Sequence, residues 1–366
     1  MDFHPSEAQA ALRDLAREIL EKEAAPGRTR AAADASDGFD RALWARLAEA
    51  QLLGVAVPEA QGGLGMGFLE LCTLLVEIGR AVAPVPALPA LVLGGLPLAR
   101  FGSEAQRARW LAPLARGELV LTAALAPGRA VAARRDGASL VLDGVRANVP
   151  ALGLAARVLV PARAPEGVIV CLVDPSAPGV SAVPGLTSRG DPLFALELAG
   201  ARVPADEVLR GPGIEAWMRE RALVGIAATQ LGVSERALEI TTAYVSQRVQ
   251  FGVPLGALPP VQHRCADCAI DLECLRAVTW AAAFALAEER PAARDAWIAK
   301  FWAAEAGSRI ATATQHLHGG MGADLEYPIH RYFLWSKSLE LELGAALPQL
   351  AELGREMARS GPEELA

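Results

Sequence analysis

Leu223, Ile226, Gln230, Val233, Ala237, Ile240 and Tyr244 follow one another at steps of three and four. This spacing puts them on one stripe of a helix and predicts a single long helix with a core-facing side. A second helix is expected over roughly Pro260 to Glu289 and a third over Ala293 to His318, the last stopped by Gly319-Gly320 as a glycine C-cap. The chain begins in the same style. Ser6-Glu-Ala-Gln9 has the form of a capping box, and Leu12, Leu15, Ala16 and Ile19 follow as an apolar face. A helix with Phe68, Leu71, Cys72 and Leu75 on one side follows the glycine-rich loop Pro58–Gly65. Ser103-Glu-Ala-Gln106 caps another helix, which carries Trp110 and Leu111.

The stretch between these helical zones differs. Leu140–Leu142, Val158–Val160 and Val168–Val173 are short apolar runs bounded by Gly, Pro and Asp, as strands are. Phe194, Leu196 and Leu198 alternate with Ala195 and Glu197, the pattern of a half-buried strand. The divisions expected are residues 1–118 (helical), 119–210 (a small antiparallel β domain) and 211–366 (helical again). No internal repeat is visible.

Composition excludes several roles. The 366 residues are 52% hydrophobic, enough for a sizeable core, and the formal net charge is -7. Without a basic stripe, nucleic acid is not an expected partner. No run of 18 uninterrupted apolar residues occurs, so no membrane span is expected. The first residues, Met1–Ser6, lack a basic segment followed by an apolar one, and a cytoplasmic location is expected. Five cysteines make no disulfide framework in so long a chain. Cys265 and Cys268, with His263 and Cys274 nearby, lie on an expected continuous helix and are read as small helix residues, not as a metal site.

Three segments narrow the reading. Val57-Pro-Glu-Ala-Gln-Gly-Gly-Leu-Gly65 precedes a helix that ends in Gly79-Arg80. Tyr244 is followed by Arg248-x-Gln250-Phe251-Gly252-x-Pro254-Leu255. His316-Leu-His-Gly-Gly-Met-Gly322 precedes Glu326-Tyr-Pro328. In this order they resemble the acyl-CoA dehydrogenase family over nearly the whole chain. The resemblance implies a mainly α fold with a central β domain and a C-terminal bundle of four-helix type. It also implies FAD as cofactor, an acyl-CoA thioester as substrate, a homo- or heterotetramer of homologous subunits, and an electron-transfer flavoprotein as acceptor.

The chemistry suits the residue types. A dinucleotide carries a pyrophosphate, which takes guanidinium and backbone N–H donors. By resemblance, Arg248 reaches the FAD of a neighbouring subunit, with Gln250 in the same motif. Phe251 packs beside the adenosine, and Gly252 lets the chain turn. His316, Gly319 and Gly320 complete the cofactor contacts.

The departures lie elsewhere. Family chemistry removes an α-proton from the thioester while a β-hydride passes to flavin, which requires a carboxylate base in a dry pocket. Counting on from Tyr327-Pro328, the base position falls on Leu343, before Gly344. Glu342 is one residue earlier; on a helix that is a turn of roughly 100°. The alternative base position, on the long helix, falls on Ala222, and Glu220 nearby faces nearly the opposite way. The flavin-facing segments of the β domain are replaced by Thr122–Gly128 and Asn148-Val-Pro-Ala151. Pro259 and His316 each stand where a Gln is usual, with Gln315 just before the latter. Three readings follow: a subunit of a heteromeric enzyme that lacks the usual base, an active homomeric enzyme with Glu342 as a displaced base, or a flavin-free acyl-CoA-binding scaffold.

Overall fold

A computed structural model describes residues 5–24 and 37–360. The helices are α1 (Glu7–Glu23), α2 (Arg41–Glu49), α3 (Phe68–Ala81), α4 (Leu96–Phe101) and α5 (Glu104–Ala115), then α6 (Ile214–Gln247), α7 (Pro259–Ala287), α8 (Ala293–Leu317), α9 (Ile329–Leu341) and α10 (Ala346–Ser360). Eight strands lie between α5 and α6: β1 (Val120–Ala123), β2 (Val131–Asp136), β3 (Ser139–Pro150), β4 (Ala155–Ala164), β5 (Gly167–Val173), β6 (Val180–Leu186), β7 (Pro192–Pro204) and β8 (Val208–Leu209). The short strands β9 (Val249–Gln250) and β10 (Val253–Pro254) follow α6. Among the described residues no helix is long and apolar enough to cross a membrane.

Packing divides the chain into two compact units that interleave in sequence. One comprises residues 1–26, 72–83 and 223–366; the other comprises residues 27–71 and 84–222. Secondary structure changes character near 118 and 210, where the sequence pattern changes.

In the second unit the sheet runs β6-β7-β3-β2-β4-β5-β8, with β1 added beside β4. Most pairings are antiparallel, as expected, but β1 and β2 both run parallel to β4. A parallel pairing is made by a crossover from a distant part of the chain, and a four-residue strand such as β1 leaves no periodicity to reveal it. Leu140, Leu142, Val158, Val160, Leu196 and Leu198 are in the buried core of the sheet. Against it, Trp110 Nε1 donates to the buried Glu207 carboxylate at 3.2 Å, and Gln106 Nε2 donates to the Asp206 carbonyl at 2.7 Å.

In the first unit, Ser6 and Ser103-type capping behaves as expected: Ser6 accepts from the Gln9 amide and Gln9 reaches back to the Ser6 amide; in the other unit Ser103 and Gln106 do the same. The buried face of α1 is Leu12, Ala16 and Leu20, whereas Leu15 is exposed and Ile19 only half-buried. A step of four, not of three and four, describes that helix. The stripe on α6 understates the burial: Leu223 through Glu235 are buried without interruption, while Ile240 and Tyr244 are half-buried.

Burial all round demands close neighbours. A Cβ built at Gly79 would lie 2.1 Å from the Thr229 carbonyl oxygen, and one at Gly232 would lie 1.9 Å from the Val76 carbonyl oxygen. Two glycines, one per helix, let the α3 and α6 backbones touch. Beside the crossing, Arg80 donates to Glu235 at 2.9 Å and to Glu239 at 2.8 Å, and Arg17 grips the buried Glu77 with two hydrogen bonds. Burial works to raise the Glu239 carboxyl, but hydrogen bonds from Arg80 and Arg236 overcome it and hold it below the usual carboxylate range.

Gly79→Ala and Gly232→Ala should each destabilise the protein by roughly 1–3 kcal/mol, because the added methyl forces the backbones apart. Urea unfolding measures this, and a loss below about 0.5 kcal/mol, typical of a surface change, would contradict the crossing.

Candidate functional site

The long helix α6 ends at Gln247, and the Arg248 amide still donates to the Tyr244 carbonyl at 2.9 Å. The chain then reverses through a two-residue hairpin in which Gln250 pairs with Val253. Phe251 and Gly252 occupy the turn with φ of +55° and +80°. Positive φ at both central residues is the geometry that matches strand twist in a tight hairpin, and it favours Asn-Gly over an aromatic residue. Phe251 is nonetheless there and is 90% exposed. Arg248 is exposed too, with no ion pair among the described residues. The Gln250 amide donates to the Val249 carbonyl at 2.9 Å. The hairpin thus holds a cation and a large aromatic side chain in water on a strained backbone, the kind of outlier that clusters at binding sites.

Helix α8 ends at the other side of the same arrangement. His318 is buried, with Nδ1 at 2.8 Å from the Thr314 carbonyl oxygen. Its ring stacks on Tyr244 at 4.4 Å between centroids and lies 5.2 Å from Tyr327. Burial lowers the His318 pKa against the opposing effect of the Thr314 hydrogen bond. This stack pins together three separate segments: the helix turn before Arg248, the residue before Gly319, and the Glu326-Tyr-Pro328 segment. Gly319 follows with φ of +57°, the left-handed residue expected at a helix stop. A Cβ at Gly319 or Gly320 would meet nothing within 4 Å, so the turn presents open backbone. His316 is exposed, and Gln315 is engaged in closing the turn through the Gly322 carbonyl at 3.1 Å.

The base position lies on a different structure from the one expected. Helix α9 ends at Leu341, so Glu342 and Leu343 are not helical neighbours. Glu342 is extended and half-buried, Leu343 is left-handed with φ of +55°, and Gly344 has φ of +104°. Two buried side chains hold this turn. Lys300 Nζ donates to the Glu340 carbonyl at 3.0 Å and the Gly344 carbonyl at 2.9 Å. Gln349 Nε2 donates to the Leu343 and Gly344 carbonyls, both at 3.1 Å. Burial depresses the Lys300 pKa to about 8, opposed by the charges of Glu342 and Glu340. Sequence reasoning missed both clamps. The one available signal was a lysine amid the alanines of α8, in a chain whose basic residues are almost all arginine.

The remaining candidates carry little chemistry. Ala222 is fully buried inside α6. Glu220 is half-buried with its carboxyl raised by burial, and Arg221 opposes the shift. The Thr122 hydroxyl is spent on the Pro150 carbonyl at 2.7 Å, and Asn148 and Ala151 both have positive φ. Pro259 is the first residue of α7 and has no N–H to give. Cys265 and Cys268 share α7, and burial raises both thiols, Cys268 to about 11.

Residues 6–118 match the acyl-CoA dehydrogenase N-terminal domain, and residues 214–358 match the acyl-CoA dehydrogenase C-terminal domain. The acyl-CoA dehydrogenase FadE27 of Mycobacterium tuberculosis is 38% identical over 98% of this chain and 100% of its own length. A chain of the ChsE4–ChsE5 complex from the same organism superposes with a TM-score of 0.95 at 39% identity, covering 98% of this chain and 99% of that one. A chain of a Tcur3481–Tcur3483 steroid ACAD variant does so with a TM-score of 0.91 at 42% identity, covering 97% and 98%. The chain belongs to the acyl-CoA dehydrogenase family. That family comprises FAD-linked oxidoreductases acting at a CH–CH bond. Arg248 and the open Gly319–Gly320 turn fit the anionic part of such a cofactor. The Thr122 hydroxyl is already engaged and Pro259 has no N–H, so neither supplies a free donor.

Lys300 makes a pH prediction. Its folded pKa of about 8 lies below its ordinary 10.5. Between those values the unfolded chain binds the proton and the folded chain does not, so this group makes stability rise with pH in that window. Lys300→Met should remove the rise, changing the stability difference between the two proteins by on the order of 3 kcal/mol across the window. Urea unfolding from pH 7 to 10 tests it; a constant offset between the curves would refute the depressed pKa.

Proposed function

We propose that this chain is a subunit of a heteromeric acyl-CoA dehydrogenase for the α,β-dehydrogenation of an acyl-CoA thioester. It contributes Arg248, Gln250, Phe251, Gly252, His316, Gly319 and Gly320 to the FAD held by a homologous partner subunit. It does not supply the base. When bound, FAD would supply the acceptor for the hydride leaving the substrate β-carbon, with an electron-transfer flavoprotein as the onward acceptor. The observation that carries the reading is Phe251, 90% exposed on a backbone with φ of +55°. The same hairpin exposes Val249 and Val253, so the three form an apolar patch of the kind that marks a protein interface.

Leucine at residue 343 supports the same division, since an aliphatic side chain can take no proton from a thioester. The two solved complexes to which the chain is similar are each named for a pair of proteins, one of them a steroid ACAD. A steroid side-chain thioester is therefore the substrate class proposed. The residues 1–118, 119–210 and 211–366 act as the three domains of the family, the middle one carrying the flavin-facing strands.

Glu342 sustains a second reading. It is half-buried, one residue from the base position, and near enough to Lys300 to raise that group's pKa. On this reading the chain is active by itself in a homomeric assembly.

Co-expression with a neighbouring paralogous gene separates the two. Alone, the chain should purify with little flavin and show no acyl-CoA-dependent flavin reduction. The mixed complex should be yellow and active, and Arg248→Ala in this chain should weaken its FAD affinity by roughly 10- to 100-fold, the worth of a charge-assisted hydrogen bond. If the chain alone reduces flavin on adding acyl-CoA, and Glu342→Gln abolishes that, the subunit reading fails.

A further inference from the structure

Lysine occupies only positions 22, 300 and 337 in a chain with 35 Lys and Arg residues. Two of the three converge on one residue. Lys300 Nζ donates to the Glu340 carbonyl at 3.0 Å, and Lys337 Nζ donates to the Glu340 carboxylate at 2.9 Å. An ammonium is a compact donor whose three N–H bonds can splay toward separate peptide groups, whereas a guanidinium is a flat fork shaped for carboxylates. Lysine at 300 therefore matches a task that arginine performs poorly: reaching the carbonyls of residues 340 and 344 at once from within the core.

Lys300 is fully buried, and Gln349 is 1% exposed. Between them they take the carbonyls of Glu340, Leu343 and Gly344 from two different helices, α8 and α10. The left-handed backbone of Leu343 lies inside this grip. A leucine keeps that conformation only where its surroundings over-determine it, and here the over-determining groups are identified. A buried ammonium is costly without good partners, so its retention follows the same logic.

We propose that Lys300 and Gln349 are positioning residues for residue 343, imposing its left-handed backbone whatever side chain stands there. The turn that holds the base position is then built by two buried side chains outside it. It holds in this chain with leucine at the position where the family resemblance expects the base. The importance of residue 343 rests on the family resemblance given above; the clamp does not rest on the subunit reading.

A double-substitution cycle on the purified protein tests the coupling. Glycine relieves left-handed strain, so Leu343→Gly should raise the urea midpoint of the otherwise unaltered chain. In Lys300→Met the turn has already relaxed, and Leu343→Gly should change nothing. Amide exchange of residues 341–346 should quicken at least tenfold in Lys300→Met, stay fast in Lys300→Arg, and remain slow in Leu343→Glu. Where Lys300→Met does not fold, Gln349→Met makes the same comparison without removing a charge. A residue that merely stabilised the bundle would lower the midpoint additively. An equal Leu343→Gly effect in every background, with unchanged exchange, would overturn the proposal. Neither readout involves flavin, so failure of the subunit reading and failure of the clamp are told apart.

Discussion

The helical unit depends on one approach of backbone to backbone. At Gly79 and Gly232 the helices α3 and α6 come so close that a methyl group would sit about 2 Å from a carbonyl oxygen of the other helix. The approach draws Arg80 into reach of Glu235 and Glu239, where burial strengthens the ion pairs that satisfy it. It also seats α6 so deeply that its central turns expose nothing. Toward Tyr244 the helix emerges from the core, and there the candidate cofactor segment begins.

From that point two independent supports organise the chemistry. The Tyr244–His318–Tyr327 stack joins the end of α6 to the end of α8 and sets the exposed Arg248 hairpin beside an open glycine turn. The Lys300–Gln349 pair fixes the turn at 340–344. The first support carries groups suited to a dinucleotide: an exposed guanidinium, an exposed aromatic ring and uncovered backbone. The second carries leucine at residue 343, where the family resemblance places the base. On the reading proposed above, cofactor contact and acid–base chemistry are divided between unlike subunits, and this chain contributes the former.

Local features of this design were legible in the sequence. Ser6–Gln9 and Ser103–Gln106 are capping boxes because their partners lie three residues away, and the glycine stop at Gly319 is likewise local. The Arg248–Gly252 motif and Leu343 were singled out through spacing and family resemblance. The missing parts depend on distant partners. Leu15 and Ile19 sit at helical spacing from Leu12, yet the packing of α1 chose Leu20 instead. The parallel pairings of β1 and β2 with β4 have no local signature. Lys300 lies 40 and 44 positions from the carbonyls it serves. The expected 100° offset between Glu342 and Leu343 presumed a helix that ends one residue too soon.

The central claim is that this chain gives half of a flavin site and keeps no complete one. Counting FAD per polypeptide in the assembled complex tests it most directly, by flavin absorbance against protein mass. The account predicts one FAD for each pair of unlike chains, since only the partner's flavin is met by a full set of contacts. One FAD bound to every copy of this chain, in an assembly of this chain alone, would contradict it.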